Sequence, residues 1–275
     1  MKTAAKVNRH YGRGGLVDNI QRALALAGKK LAVLTVDDLA PVDEFHSRGR
    51  AATVELAEFA NLSERDRVID IGCGLGGTAR YLAQTFGCEV SGVDLTAEFV
   101  MAGEYLTGLV GLESLVSLAR ADALELPFDD ECFTAAWTEH VQMNIKNKVQ
   151  FYSEMARVLR PGGRLLFHDI FSGPGGELSY PVPWAEDESI SFLISTENAR
   201  KMMESAGLRI VQWVSKDQES INFFDRALKM LDSDGIPPLG VHLLMGKNVK
   251  EKLINYLRNL REGRITVALG LAVRM

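Results

Sequence analysis

The most informative stretch of this chain reads VIDIGCGLGGT, from Val68 to Thr78. Its apolar start is typical of a buried strand, and its glycines let the backbone turn sharply and approach a ligand closely. The helix predicted directly after it would point the free N–H groups of its first turn at the same place. Gly72, Gly74 and Gly77 satisfy the GxGxxG spacing of dinucleotide sites, but this spacing alone indicates only that a nucleotide binds.

Acidic residues mark three predicted strand ends near this loop. Asp70 lies just before the first glycine, Asp94 ends the second predicted strand, and Asp122 follows the third. A carboxylate at position 94 can accept hydrogen bonds from ribose hydroxyls, and one at position 122 from an adenine amino group. A pyrophosphate would be repelled by Asp70, whereas the ammonium and sulfonium of S-adenosylmethionine (AdoMet) would be attracted. The three acids therefore favour AdoMet over NAD, unless Asp94 and Asp122 are ordinary turn or cap residues.

Predicted strands and helices alternate outward from the glycine loop. The pattern predicts strands over 67–71, 89–94, 116–120, 132–138, 164–170, 208–214 and 264–274. Helices are predicted between most of them, at 76–86, 96–109, 147–159 and 196–206. Strands joined by helices of this length imply right-handed crossovers and a parallel sheet covered on both faces. We therefore expect an α/β fold with a Rossmann-like, mostly parallel seven-stranded sheet, helices on both faces and a helical cap.

The chain divides into three expected parts. Residues 1–60 form an N-terminal helical segment, with the clearest amphipathic pattern at 50–61. Residues 61–218 and 263–275 form the AdoMet-binding Rossmann-like domain. Residues 219–262 are too long for a simple connection, and they predict two helices around Pro237-Pro238. We expect these helices to form a cap over the acceptor site.

At this point the sequence resembles the class I AdoMet-dependent methyltransferases. The residues that carry the resemblance are Asp70 to Gly77, Val93-Asp94, Ala121-Asp122-Ala123, Leu126-Pro127-Phe128 and Arg157 to Gly163. More narrowly, the chain is similar to the small-molecule branch, which includes sarcosine/dimethylglycine and phosphoethanolamine N-methyltransferases; Trp137 to His140 and the closing Glu262 to Thr266 support this. The resemblance implies methyl transfer from AdoMet to a small acceptor, with an amine nitrogen as the expected atom. An O- or C-methyltransferase of a secondary metabolite and a non-methylating AdoMet-fold cyclase stay open, because fold does not fix function.

The resemblance also implies which residues bind the cofactor. Besides the three acids, they come from the glycine loop, from the ends of the second and fourth strands, and from an aromatic residue near the N-terminus that closes the pocket. The full set is Tyr11, Asp70, Gly72, Cys73, Gly74, Asp94, Leu95, Asp122, Ala123 and Glu139.

The acceptor is expected after the fourth strand, where polar side chains crowd the segment 137–144. His140 is the candidate base or hydrogen-bond partner of the acceptor, because an imidazole with an ordinary pKa near 6.5 titrates close to neutral pH. Glu139 is the second candidate catalytic residue, and Gln142 and Asn144 would orient the acceptor. In the alternative interpretation His140 merely packs or caps a helix. Two further residues are candidates for contact with the acceptor, His168 and Trp184.

Charge and hydropathy restrict the kinds of molecule that the protein is expected to bind. The net charge is −5 and no block of Lys and Arg occurs, which argues against nucleic acid as a substrate. No apolar run approaches the roughly 18–20 residues of a membrane span, and the first residues lack the apolar core of a secretory signal. We therefore expect a cytoplasmic protein that does not bind membranes, and we leave a homo-oligomer open.

Cysteine and histidine spacing predicts no metal site. Cys73, Cys88 and Cys132 are widely spaced and form no CxxC pair, so reduced cysteines are expected. The five histidines form no HxH or HxxxH pair. They are His10, His46, His140, His168 and His242.

Overall fold

A computed structural model describes residues 2–12 and 14–275. Its strands are β1 (Arg67–Ile71), β2 (Glu89–Asp94), β3 (Val116–Arg120), β4 (Phe133–Glu139), β5 (Leu159–Ser172), β6 (Leu208–Ser215) and β7 (Ile265–Arg274). Its α-helices are α1 (Lys2–Tyr11), α2 (Leu16–Leu26), α3 (Val36–Asp43), α4 (Arg50–Ala60), α5 (Gly77–Phe86), α6 (Ala97–Leu109), α7 (Lys148–Val158), α8 (Thr196–Ser205), α9 (Asp217–Asp234), α10 (His242–Met245) and α11 (Val249–Arg261). Short 3-10 turns lie at Leu31–Val33, Gln142–Asn144 and Glu188–Ile190.

The strands form one sheet in the order β3-β2-β1-β4-β5-β7-β6. β1 pairs in parallel with β2 and β4, and only β7 runs antiparallel to its neighbours β5 and β6. The predicted mostly parallel, seven-stranded Rossmann-like sheet is confirmed. The chain order reverses between β1 and β4, which opens a crevice at the carboxyl ends of these strands, where ligands of such sheets bind.

Both faces of the sheet are covered, as the continuous apolar strands predict. Successive residues of a strand point to opposite faces. Ile69 and Ile71 of β1 pack in one core layer with Phe151 of α7, whereas Val68 packs in the other layer with Leu82 of α5. The two layers fix the position of the strand ends that line the crevice.

The elements differ from the prediction mainly at their ends. Helix α1 lies within the predicted N-terminal helical segment, although its bounds were not predicted, and β5 extends from Leu159 to Ser172, well beyond the predicted 164–170. Thr96 precedes α6 but its side chain makes no capping hydrogen bond. Asn147, predicted as the first residue of a helix, instead caps α7 by accepting a hydrogen bond from the Gln150 N–H.

The region predicted as a cap contains α9, the short α10 and α11. Helix α9 begins at Asp217, and α9 and α11 pack against each other. Within residues 2–12 and 14–275, we find no helix with both the length and the apolar character that a membrane span requires.

Candidate active site

A cavity of about 1400 Å³ lies at the carboxyl ends of β1, β2 and β4. Its walls include the glycine loop, the segment 43–50 between α3 and α4, and parts of α9 and α10. Ligand pockets in proteins are typically about 300–1,000 Å³. The cavity is therefore large enough for a nucleoside cofactor together with a second molecule.

The glycine loop opens one wall of the cavity. Gly72 has φ +78°, and a Cβ there would lie 2.2 Å from a methyl carbon of Val141. The N–H groups of Gly72 and Cys73 both donate to the Val93 carbonyl, which fixes the loop on β2. At Gly74, with φ +55°, a Cβ would meet no described heavy atom within 4 Å. The loop therefore leaves open space beside Gly74 for a ligand to approach the backbone.

Asp94 joins the glycine loop to the start of α6. One carboxylate oxygen accepts from the Gly74 N–H at 3.0 Å and the other from the Thr96 N–H at 2.7 Å. Burial raises the pKa of Asp94, and the two N–H donors oppose this rise. Asp94 lines the cavity, and these two bonds fix its orientation. A fixed carboxylate is suited to accept hydrogen bonds from ribose hydroxyls.

Asp70 is a buried acid with an unused oxygen. It is 3% exposed, and its Oδ2 has no hydrogen-bond partner among the described residues. Burial raises the pKa of Asp70 well above its ordinary value, and the nearby Glu139 and Asp94 raise it further. Because a buried carboxylate is costly without a compensating charge, this arrangement fits a cationic ligand such as AdoMet.

Asp122 lies both in a turn and on the cavity wall. Its Oδ1 accepts from the Leu124 N–H at 3.0 Å, as in an ordinary Asx turn, and the residue also lines the cavity. The same cavity wall contains every residue predicted to bind the cofactor. They are Tyr11, Asp70, Gly72, Cys73, Gly74, Asp94, Leu95, Asp122, Ala123 and Glu139.

Glu139 ends β4 as a firmly held carboxylate. Its Oε2 accepts hydrogen bonds from Trp137 Nε1 and Thr78 Oγ1, both at 2.9 Å, and from Thr53 Oγ1 at 3.2 Å. Burial alone would raise its pKa, but the imidazoles of His46 and His168, together with the hydrogen bond from Trp137, lower the pKa to about 2. Glu139 is therefore ionised at neutral pH and is a poor proton acceptor.

His140 lies in the left-handed region, with φ +52°, and lines the cavity. Its Nε2 is 3.2 Å from Ser47 Oγ. Burial lowers the pKa of His140 well below its ordinary value, and the neighbouring His168 and His46 lower it further. A neutral imidazole with such a low pKa is a weak base, so the geometry favours a hydrogen-bonding role. Catalysis by His140 stays a prediction.

The other residues predicted to contact the methyl acceptor fall into two groups. Asn144 and Trp184 line the cavity, whereas Gln142 and His168 do not. The Gln142 amide instead donates to the Ile170 carbonyl at 2.6 Å. The predicted contact of Gln142 and His168 with an acceptor therefore has no support in the cavity wall, because neither residue is part of it.

Asn144 connects three parts of the site. Its amide nitrogen donates to the carbonyls of Trp184 at 3.0 Å and Ile190 at 2.8 Å, and its Oδ1 accepts from the Tyr11 hydroxyl at 2.8 Å. Trp184 is 1% exposed, and its ring nitrogen donates to Ser191 Oγ. These bonds fix the wall between α1 and the loop that follows β5.

Sequence reasoning missed the segment 43–50, which has no helical or strand periodicity. Glu44, His46, Ser47 and Arg50 of this segment line the cavity. Arg50 donates to the Glu44 carboxylate at 2.5 Å and lies over the Tyr81 ring, while its Nη2 has no hydrogen-bond partner among the described residues. A ligand carboxylate would satisfy this donor. In the sequence, this part of the site is indicated only by a histidine, His46, close to two arginines, Arg48 and Arg50.

Three histidines that are far apart in the sequence come together at the polar end of the cavity. The ring centroid of His168 lies 4.8 Å from that of His140 and 5.7 Å from that of His46. Burial alone would lower the pKa of His46, but Glu139 and Glu44 raise it to about 9. These histidines form no HxH or HxxxH pair in the sequence, and for that reason no metal site was predicted. The fold nevertheless brings their side chains together.

Replacing Tyr11 with Phe should weaken cofactor binding about five-fold. The change removes the hydrogen bond to Asn144 while keeping the ring contacts with Phe45 and Phe99, and one such bond contributes about 1 kcal/mol. Calorimetric titration with AdoMet measures the effect. Tyr105→Phe is the control, because its hydroxyl bonds to Gln21 outside the cavity. Equal affinities for both variants would contradict a role of the Tyr11 hydroxyl in cofactor binding.

Comparison with known proteins identifies the class. Residues 69–167 match the family described as "Methyltransferase domain". The methyltransferase GfsG of Streptomyces halstedii is 29% identical over 209 residues, which cover 72% of this chain and 75% of that protein. The glycine/sarcosine/dimethylglycine N-methyltransferase of Actinopolyspora halophila is 25% identical over 193 residues, which cover 70% of this chain but 34% of that protein.

A solved structure matches the whole chain. It is the geranyl diphosphate C-methyltransferase of Streptomyces coelicolor A3(2) in complex with Mg²⁺, geranyl diphosphate and S-adenosyl-L-homocysteine, with a TM-score of 0.75, 20% identity and coverage of 100% of this chain and 98% of that one. At this identity the likeness shows the fold. The matched domain and these relatives together support an AdoMet-dependent methyltransferase of small molecules.

Proposed function

We propose that the protein transfers a methyl group from AdoMet to the amine nitrogen of a small molecule with a large apolar body. The observation that carries the proposal is a cavity that is acidic and, at the same time, walled by apolar side chains. Among the described residues, seven aspartate or glutamate and three lysine or arginine side chains line it. They are Asp43, Glu44, Asp70, Asp94, Asp122, Glu139 and Asp234, with Arg48, Arg50 and Lys146.

The excess of carboxylates favours a cationic acceptor over a phosphorylated one. Arg48 is paired with Glu55, Arg50 is paired with Glu44 and keeps only part of its guanidinium for a ligand carboxylate, and Lys146 is exposed. A diphosphate is usually bound by a cluster of free cationic side chains or by N–H groups. An amine, by contrast, meets the carboxylates that the cavity already contains.

The wall contributed by 223–253 is mainly apolar, with Asp234 and His242 as its ionisable residues, and it supports an acceptor with an apolar body. Phe223 and Phe224 of α9 lie on it together with Leu231, Met245 and Leu253. Burial of apolar area stabilises a bound ligand by about 25 cal/mol per Å². This is the arrangement we propose for the helical cap over the acceptor site.

Bound AdoMet would supply an electrophilic methyl group on its sulfonium. The residues of the chain then have to hold the two reactants in line and keep water away, and such positioning contributes up to about 7–11 kcal/mol. Asp94 and the Gly74 backbone would hold the nucleoside end, and Asp70 would attract the cationic end. His140 and Ser47 would orient the acceptor by hydrogen bonds. An ammonium held by the carboxylates would first lose its proton to water, and the neutral amine would then attack the methyl carbon as the sulfonium leaves as a thioether.

Acceptor screening with labelled AdoMet tests this proposal. We expect S-adenosylhomocysteine to form in step with a methylated product for apolar amines, with much lower turnover for small hydrophilic amines and for diphosphates. Product analysis by mass spectrometry separates N-methylation from O- and C-methylation. Turnover restricted to alcohols, carbon acceptors or diphosphates would overturn the amine assignment, and conversion of a substrate without S-adenosylhomocysteine would indicate a cyclase.

A charge placed on the apolar wall should selectively weaken acceptor binding. Ala227 lines the cavity from α9, so Ala227→Glu is expected to raise the KM for an apolar acceptor about ten-fold or more, because a buried charge is costly. AdoMet affinity should change little. Asn222→Glu is the matched control, since Asn222 is exposed on the same helix and does not line the cavity. Equal acceptor KM values for the two variants would argue against this wall as the acceptor site.

A further inference from the structure

Three atoms that could bind a metal ion lie close together beneath the polar end of the cavity. His46 Nε2 lies 3.7 Å from Glu139 Oε1, and His168 Nδ1 lies 3.5 Å from the same oxygen. All three atoms lie within 4.8 Å of one another. Their side chains are 6%, 5% and 0% exposed for His46, Glu139 and His168 respectively. Two imidazoles and a carboxylate are thus grouped where bulk water hardly reaches.

The two oxygens of Glu139 are used differently. Oε2 accepts from Trp137, Thr78 and Thr53. Oε1, which points between the two imidazoles, has no hydrogen-bond partner among the described residues. Three donors on one oxygen fix the orientation of the carboxylate. The other oxygen is therefore presented to whatever lies between the rings.

The two imidazoles are oriented from the side opposite to Glu139. His168 Nε2 lies 3.3 Å from Ser47 Oγ, and its Nδ1 is a buried nitrogen without a hydrogen-bond partner among the described residues. His46 Nδ1 lies 3.4 Å from the Ser47 carbonyl. Histidines that bind metals usually place their second ring nitrogen against a carbonyl, carboxylate or hydroxyl in this way, because that partner fixes the ring and the tautomer.

We propose that His46, Glu139 and His168 hold one divalent first-row transition-metal ion. Atoms that bind an ion at about 2.0–2.2 Å lie about 3–4 Å apart, which matches the separations around Glu139 Oε1. Two imidazoles and one carboxylate favour ions such as Zn²⁺ over Mg²⁺, which prefers oxygen ligands. Glu44, whose Oε2 is 2.9 Å from His46 Nε2, is placed to become a fourth ligand.

The ion would connect three distant parts of the chain. His46 belongs to the irregular segment 43–50, Glu139 ends β4, and His168 lies in β5. Because His46 and Glu139 also line the cavity, the ion would lie directly under its polar end. This inference does not depend on the nature of the acceptor, and metal binding is measured separately from methyl transfer.

Metal binding can be measured on the full chain. Purified protein is stripped with a chelator and then equilibrated separately with Zn²⁺ and with Co²⁺. We expect one equivalent of metal by elemental analysis, visible absorption bands from bound Co²⁺, and a higher Tm with Zn²⁺, because a ligand that binds only the folded state stabilises it. No bound metal and no change in Tm would overturn the proposal and leave a proton on His46 as the cation of the cluster.

Variants locate the site. His168→Gln and His46→Gln should each lower Zn²⁺ affinity at least about ten-fold. His140→Gln is the matched control, because its ring lies 4.8 Å from that of His168 but it is outside the donor set. The Tm of each metal-free variant shows whether it is folded, and Glu139→Gln tests the third ligand. Wild-type affinity in folded His168→Gln, or loss of metal in His140→Gln alone, would contradict the assignment.

Discussion

Replacing Asp94 with Ala is expected to weaken AdoMet binding about 100-fold or more. The carboxylate accepts from the N–H groups of Gly74 and Thr96, so its removal frees the glycine loop from the start of α6. It also removes the acceptor proposed for the ribose hydroxyls. Each hydrogen bond to a charged group contributes about 1.5–3 kcal/mol, and every 1.4 kcal/mol is about a factor of ten in affinity. Calorimetric titration of the purified chain with AdoMet measures the change.

Two further variants test whether the loss of AdoMet affinity is due to the Asp94 carboxylate. Asp94→Asn keeps the shape and one acceptor oxygen, so its loss should be smaller, about ten-fold. Asp130→Ala removes an exposed acid that pairs with Arg157 outside the cavity, and it should leave the affinity unchanged. A dissociation constant for Asp94→Ala close to that of Asp130→Ala would show that the nucleoside lies elsewhere.

The sequence predicted the sheet, and it placed the expected cofactor residues on one cavity wall, because both depend on local patterns. Apolar runs such as 67–71 and the glycines after them indicate a strand, a turn and a helix without knowledge of the rest of the chain. Asp70 and Asp94 then follow from their positions at strand ends. Parallel strands bring their carboxyl ends to one edge of the sheet, so these acids had to converge.

The group around Glu139 was not predictable in the same way. His46 lies in a segment without periodicity, and its contact with His168 depends on how α3 and α4 pack against the sheet. Gln142 and His168 were predicted to face an acceptor because they follow strand ends or lie near them, but strand position does not determine which way a side chain turns. Gln142 instead satisfies the Ile170 carbonyl, since a buried amide needs a partner.

A buried ion pair is one of the contacts that attach the N-terminal segment to the sheet domain. Arg80 of α5 donates to Asp43 at the end of α3 at 2.7 Å, and both side chains are 0% exposed. Arg80 also donates to the Gly103 carbonyl and to Thr107 Oγ1. Gly77 permits this close approach of the helices, because a Cβ there would lie 2.4 Å from the Cβ of Asp43.

Replacing Arg80 with Met should lower the free energy of unfolding by about 3–5 kcal/mol. Removing one partner of a buried ion pair leaves an uncompensated charge, and total stabilities are only about 5–15 kcal/mol. The loss of free energy should come mainly from the Asp43 carboxylate, which would remain buried without its partner. The double variant with Asp43→Asn is therefore expected to be more stable than Arg80→Met alone, by about 2 kcal/mol in denaturant unfolding.

The pH dependence of this loss separates charge from packing. Burial raises the pKa of Asp43 from 3.8 to about 6 even though Arg80 opposes the rise, and without Arg80 the pKa should be higher still. An acid whose pKa is raised on folding binds a proton more tightly in the folded state, so stability increases as the pH falls through that pKa. The deficit of Arg80→Met relative to wild type should therefore shrink between pH 7 and pH 5. A deficit that stays constant over this range, and that Asp43→Asn does not reduce, would mean that Arg80 acts through packing and its bonds to α6.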